Sequence, residues 1–242
     1  MTTSKEKISS DENCAQTSRI GSLNERSLHA DIKRWCAKPG DQFEIKVDNY
    51  VVDIVRENLL IEIQTRNFGA IRQKLLKLVE SHKIRLVYPI AVLKWVVRMT
   101  SDGSEEIGRR KSPRKGKLID LFDEMLRMPF MFNSDNFELE VLMTEEEEIR
   151  HMDGLGSWRK KGASVVDRKL VNVRETFLFE NKDDFLRFIP DGIQSPFTNK
   201  SLAQALGVPS RTAQKVTYTL KHMGVIKEIG KEGSSLRFEV NR

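Results

Sequence analysis

Three observations predict a mixed α/β fold that carries a smaller helical module at its C-terminal end. Residues 23–99 read in the order helix, strand, strand, strand, helix, strand. Residues 197–240 read as two helices around a tight turn, followed by a β-hairpin. Between them lies a polar, basic stretch that includes Arg109-Arg-Lys-Ser-Pro-Arg-Lys-Gly-Lys117. The expected organisation is a disordered tail over 1–21, a core over 22–100, a connecting extension over 101–190 and the C-terminal module over 191–242.

Each element has a local reason. Residues 1–21 are rich in Ser, Thr and Lys with almost no apolar side chains, so they cannot help bury a core. Ser22 or Asn24 can cap a helix whose apolar face is Leu28, Ile32 and Trp35, and Pro39-Gly40 ends it. Residues 43–47, 50–55 and 59–64 alternate and are rich in β-branched side chains, which predicts three strands. Ile71, Leu75, Leu78 and Val79 have helical spacing, so a helix is expected over 69–82. Residues 84–88 and 94–99 suit two short strands, and 100–117 is a loop by composition. A helix is expected over 118–128, a strand over 137–143, and a short helix over 185–189. Residues 154–182 show no pattern that assigns them.

At the C-terminal end Asn199 can cap a helix containing Leu202, Ala203 and Leu206, and residues 207–210 form the turn. The second helix, 211–223, buries Ala213, Val216, Leu220 and Met223 and leaves Arg211, Thr212, Gln214, Lys215, Tyr218 and Lys221 outward. Strands over 225–229 and 236–240 close around a Gly- and Ser-rich loop. This is a winged helix-turn-helix arrangement, whose second helix meets base edges in the DNA groove. Arg suits guanine and Gln suits adenine, so Arg211 and Gln214 are the base-reading candidates. Lys215 and Lys221, with Lys231 or Arg237 on the wing, are the phosphate-contact candidates. The run from Ser201 to Ala213 resembles many bacterial and archaeal winged-helix domains, some of which bind proteins instead.

Composition narrows the classes. Of 242 residues, 39% are apolar and 31% charged, as in a soluble folded chain. The formal net charge of +6 favours an anionic partner such as nucleic acid. The two cysteines are Cys14, in the tail, and Cys36, which argues against a structural disulfide and for a reducing compartment. The N-terminus has no signal-like apolar stretch, and the longest apolar region, 86–97, is too short to span a bilayer and is interrupted by Lys94. A cytoplasmic protein without a membrane partner is expected.

Chemistry concentrates in the segment from Tyr50 to Gln64. If Glu57 and Asn58 form a two-residue loop, Arg56 pairs with Leu59, Val55 with Leu60, Ile54 with Ile61, and Asp53 with Glu62. Directly opposed residues have Cβ atoms about 4.5–5.5 Å apart, and like charges there repel. Something must offset that repulsion, and a divalent cation is the simplest candidate. Alternation puts Gln64 on the Glu62 face. The bland alternative is a hairpin with one wet face.

The order αβββαβ, with Asp53 in the second strand and Glu62-x-Gln64 in the third, resembles the PD-(D/E)xK nuclease superfamily over residues 23–99. The resemblance implies a restriction-endonuclease-like core in which Asp53 and Glu62 bind Mg2+ or Mn2+. Family members normally carry Lys two residues past the glutamate, where this chain has Gln64. The proline that usually precedes the acid is absent, and Val51 and Val52 stand there. Some members use a further acid in the first helix, a part open to Glu25, although an acid in a first helical turn also serves as a cap. Arg66, on the same side as Gln64 if the strand continues, could restore the missing positive charge. His29 reads as a helix-surface residue, because no second His or Cys lies at metal spacing.

The leading expectation is a metal-dependent DNA endonuclease whose winged helix binds the target, possible as a homodimer because one site cuts one strand. The alternative is a non-catalytic DNA-binding regulator that keeps the nuclease-like fold. A third reading is a component of a larger assembly that binds RNA or protein. The basic runs Arg109–Lys117 and Arg159–Lys161 are either phosphate clamps or solvated loops.

Overall fold

In the computed structural model, which describes residues 27–241, helix α1 (Ser27–Cys36) leads into an antiparallel meander. Its strands are β1 (Gln42–Val47), β2 (Tyr50–Arg56) and β3 (Leu59–Ile63). Two-residue loops close both hairpins, Asp48-Asn49 and Glu57-Asn58. Asp48 and Glu57 take the left-handed φ, 53° and 50°, that such loops require. Helix α2 (Arg72–Leu78) then crosses over and returns the chain to β4 (Lys83–Met99), parallel to β3. The tail over 1–21 and Glu25 lie outside the described residues.

The two short strands expected over 84–88 and 94–99 are one strand, β4, with a register shift between Ala91 and Leu93. Pro89 does not interrupt it, for a geometric reason. Val87 and Ala91 turn their carbonyls away from β6 and accept from Gln64 N–H and Gly116 N–H. Pro89 shares that orientation by alternation, so its missing N–H falls where β3 has already ended.

The expected boundary at residue 100 falls inside the sheet. β5 (Glu106–Lys111) forms a hairpin with β4, β6 (Phe137–His151) runs parallel to β4, and β7 (Ser164–Phe179) folds back on β6. The sheet has seven strands in the order β1-β2-β3-β4-β6-β7, with β5 on β4. Residues 106–111, expected as loop, are strand, and the acidic run 145–148 continues β6. These segments lack apolar alternation because opposite charges pair across them: Glu145 with Arg174, Glu146 with Arg168, Glu147 with Arg109. The helix expected over 118–128 is a short 3-10 turn followed by α3 (Phe122–Met125).

Both faces of the central part of the sheet are covered. Leu28, Ile32 and Cys36 of α1 pack on Ile54, Ile61, Ile63, Val87 and Leu142. Val141 and Met143, which flank Leu142 on β6 and so point the other way, belong to a second and larger core. That core takes in α2, α3 and the C-terminal module. The module consists of β8 (Phe197–Thr198), α4 (Asn199–Leu206), α5 (Ser210–His222), β9 (Ile226–Glu232) and β10 (Ser235–Val240), its strands ordered β8-β10-β9. Ala213, Val216, Leu220 and Met223 are buried as their spacing requires. Helix α5 packs against α3, and Lys215 Nζ lies 2.5 Å from Asp123 Oδ1. Among the described residues no helix is long and apolar enough to cross a membrane.

Phe185 sits at the centre of an aromatic cluster, with ring centroids 4.7 Å from Phe132 and 4.6 Å from Phe179. Phe185→Ala is expected to cost about 3–5 kcal/mol. Denaturant unfolding measures it, and a loss under about 1 kcal/mol would mean that this cluster does not hold the sheet to the segment after β7.

Candidate active site

The β2–β3 ladder has the register read from the sequence, Ile54 with Ile61, Val55 with Leu60 and Arg56 with Leu59. The fourth expected pair, Asp53 with Glu62, is not part of the ladder, which opens there. Ile63 N–H donates to Asp53 Oδ2 at 2.9 Å, and Asp53 N–H donates to Glu62 Oε1 at 3.3 Å. Two side-chain carboxylates thus stand where strand carbonyls would, and both are brought to one place by the backbone itself.

Helices from both faces supply the positive charge. In α1, His29 and Lys33 are one turn apart and adjoin the buried stripe of Leu28, Ile32 and Cys36, so they share a direction toward the sheet. His29 Nε2 lies 3.2 Å from Asp53 Oδ2, and Lys33 Nζ lies 3.3 Å from Asp53 Oδ1 and 3.2 Å from Glu44 Oε1. In α2, burial of Leu75 and Leu78 sets the rotation that brings Lys74 Nζ to 2.5 Å from Glu62 Oε1. Lys74 also donates to Val51 O at 2.5 Å.

The two acids differ in state. Burial works against ionising Asp53, but the His29 bond and charge, the Ile63 N–H and Lys33 outweigh it and hold the carboxyl below its usual value. Burial and the Asp53 charge push the Glu62 carboxyl up to about 7, against the pull of Lys74. Glu62 is only 4% exposed and Lys33 only 3%. The repulsion expected between the two acids is therefore met in part by Lys33, Lys74 and His29.

His29, expected on the helix surface, is a partner of Asp53. Gln64 has the reverse fate. Its side-chain amide donates to Arg66 O at 2.5 Å and Asn67 O at 3.1 Å, so that N–H group closes the loop after β3. Arg66 is exposed and lines a cavity beside that loop. The basic run is partly engaged: Arg109 lies 4.0 Å and Lys111 5.0 Å from the Trp95 ring, and Arg109 pairs with Glu147. On α5, Arg211, Gln214 and Tyr218 are exposed, and Thr212 is half-buried. Lys221 pairs with Glu228 at 3.0 Å, and Lys215 with Asp123, so neither lysine is uncommitted as expected.

Lys33 and Lys74 were not singled out from the sequence. A lysine in an amphipathic helix ordinarily reads as solvated, so Lys74 carries no local signal at all. For Lys33, the i, i+4 pairing with His29 beside a buried stripe was the available sign.

A protein family described as "Domain of unknown function (DUF8091)" matches residues 26–180, from α1 to the end of β7. An uncharacterized protein of Treponema pallidum (strain Nichols) is 29% identical over 196 residues, covering 80% of this chain and 78% of that protein. No solved structure matches.

The state of Glu62 makes stability depend on pH. Between its ordinary value of 4.5 and about 7, the folded chain keeps a proton that the unfolded chain has released. Stability therefore falls as pH rises through that window and levels off above it. The lowered Asp53 acts only at more acidic pH. Glu62→Gln should remove the fall, so that wild type loses on the order of 2 kcal/mol more than the variant between about pH 5 and about pH 8. Denaturant unfolding in EDTA checks this, and parallel pH profiles would refute it.

Proposed function

The chain belongs to the family described as a domain of unknown function, DUF8091, and from the chemistry of the Asp53–Glu62 cluster we propose a metal-dependent DNA endonuclease. The observation that carries this reading is the opened ladder. Two carboxylates are exposed to each other at the end of β2–β3 pairing, with a lysine ammonium 2.5 Å from one of them. The meander β1–β2–β3 followed by α2 and parallel β4 supports a PD-(D/E)xK-like core, and the helix, turn, helix and hairpin after it support a winged helix.

The donor set suits a hard divalent cation. Among the described residues no group of three or more His, Cys, Asp or Glu is placed to hold a metal ion. Mg2+, however, is commonly held by one or two carboxylates, with water and substrate phosphate oxygens filling its remaining positions. Asp53 and Glu62 would hold it, and when bound it supplies an acidified water and a Lewis acid at the phosphodiester.

The chain's own groups do the rest. His29 fixes the Asp53 carboxylate through Oδ2 and leaves its charge favoured. Lys74 places a positive charge beside Glu62 and takes the part that lysine two residues past the glutamate plays in PD-(D/E)xK nucleases, so Gln64 need not. Arg211 and Gln214 on the exposed stripe of α5 read base edges. Thr212 and Tyr218 add backbone contacts, and Lys215 and Lys221 exchange their carboxylates for phosphates on binding. Two copies are needed for a double-strand break.

One observation favours a second reading, a DNA-binding protein without cleavage. Lys33, Lys74 and His29 already counter the charges of Asp53, Glu62 and Glu44 without a metal ion.

Supercoiled plasmid with Mg2+ or Mn2+ tests both. Wild type should nick it, Asp53→Ala and Glu62→Ala should fall to background, and Lys74→Ala should fall about 100-fold, as for loss of one preorganised donor. Equal nicking by wild type and Asp53→Ala would sink the site. Binding without cleavage under either metal would establish the second reading. Arg211→Ala should weaken duplex binding by about 1–3 kcal/mol, and affinity should fall steeply with salt. Salt-insensitive binding would count against DNA as the partner.

A further inference from the structure

Partway along β4 the sheet is split. β3 accompanies β4 as far as Ile63 opposite Val87, and β5 joins it only at Lys111 opposite Trp95. Between those points one edge of β4 carries no strand. Two loops bridge the split. The loop after β3 is tied by Gln64 N–H to Val87 O, and the loop after β5 by Ser112 N–H to Lys94 O and Gly116 N–H to Ala91 O. Gly116 is obligatory there, because a Cβ on it would lie 2.6 Å from Ala91 O.

A cavity of about 510 Å3 lies between these loops, and neither Asp53 nor Glu62 lines it. That size falls within the range of about 300–1,000 Å3 typical of small-ligand sites. Along β4 and β6 beyond Ile90 and Met143, Lys94, Glu146, Glu148 and Arg150 line the cavity. Tyr88 and Pro89 form a less polar wall.

The acids of this cavity are all committed. Glu146 accepts from Thr144 Oγ1 at 2.9 Å and pairs with Arg168 at 3.4 Å. Glu148 pairs with Lys94 at 3.2 Å and Arg150 at 2.5 Å. Glu124 accepts from Phe68 N–H at 2.9 Å and pairs with Arg127. Asp120 accepts from Lys117 N–H at 3.0 Å, and Asp123 holds Lys215. Two lining cations are left over. Arg66 on one bridging loop and Arg114 on the other make no ion pair among the described residues.

We infer that the split in the sheet binds a phosphate monoester, with Arg66 and Arg114 meeting its oxygens from the two bridging loops. Two guanidinium groups match a phosphate that carries nearly two negative charges, and each offers the paired N–H geometry phosphate oxygens accept. The less polar wall at Tyr88 and Pro89 suits the rest of a nucleotide. Such a phosphate belongs either to a free mononucleotide or to the 5′ end of a nucleic-acid strand. This site stands apart from Asp53 and Glu62 and does not depend on their cleaving anything.

Isothermal titration of the full chain in EDTA tests it. The probes are inorganic phosphate, a 5′-mononucleotide, and two short single-stranded oligonucleotides that differ only in a 5′-phosphate or 5′-hydroxyl. Saturable binding is expected for the nucleotide or the phosphorylated strand, weakened at least about tenfold by Arg66→Gln and by Arg114→Gln. Circular dichroism and the melting temperature confirm that both variants fold. Tighter binding of the mononucleotide assigns a small ligand, and tighter binding of the phosphorylated strand assigns a strand end. No binding of any probe, equal binding of the 5′-hydroxyl strand, or undiminished binding by both variants would overturn the proposal.

Discussion

Strand β4 is the constraint on which the rest of the structure depends. It pairs along one edge with β3 and later β5, and along the other with β6 from Ile84 to Met99. Parallel pairing with β3 demands a crossover, and α2 is that crossover. Its placement over the sheet brings Lys74 to Glu62. The mismatch between where β3 ends and β5 begins creates the split that Arg66 and Arg114 overlook. One strand thus sets both sites, although neither Asp53 nor Glu62 belongs to it.

The charge at the Asp53–Glu62 cluster is arranged, not incidental. Two like charges at an open ladder, Glu62 buried and Asp53 half-buried, would be costly if left alone. Lys33, Lys74 and His29 relieve the cost only partly, because Glu62 still holds its proton up to about neutral pH. A site in this condition accepts further positive charge readily, which is the electrostatic case for a bound cation.

The hairpin register was legible because a two-residue loop and a period of two leave a single pairing that keeps Ile54 and Ile61 on the buried face. The buried face of α5 was legible because 3.6-residue spacing of Ala213, Val216, Leu220 and Met223 admits one orientation. β7 and the far half of β6 were not. The far half of β6 is charged at nearly every position and charges interrupt the alternation of β7, so pairs such as Glu146 with Arg168 make sense only once the strands lie together. The contacts of Gln64 were not legible either, because nothing local says that its amide turns back to Arg66 and Asn67.

By itself the sequence determined the local elements, the closeness of Asp53 to Glu62 and the outward stripe of α5, since each follows from periodicity and turn chemistry within a few residues. Tertiary structure alone decided which cations meet those acids, that β5, β6 and β7 extend the same sheet, and that Lys215 is tied to Asp123. Those outcomes rest on contacts between residues far apart in the chain. Periodicity describes which way a side chain faces, and only packing describes what it finds there.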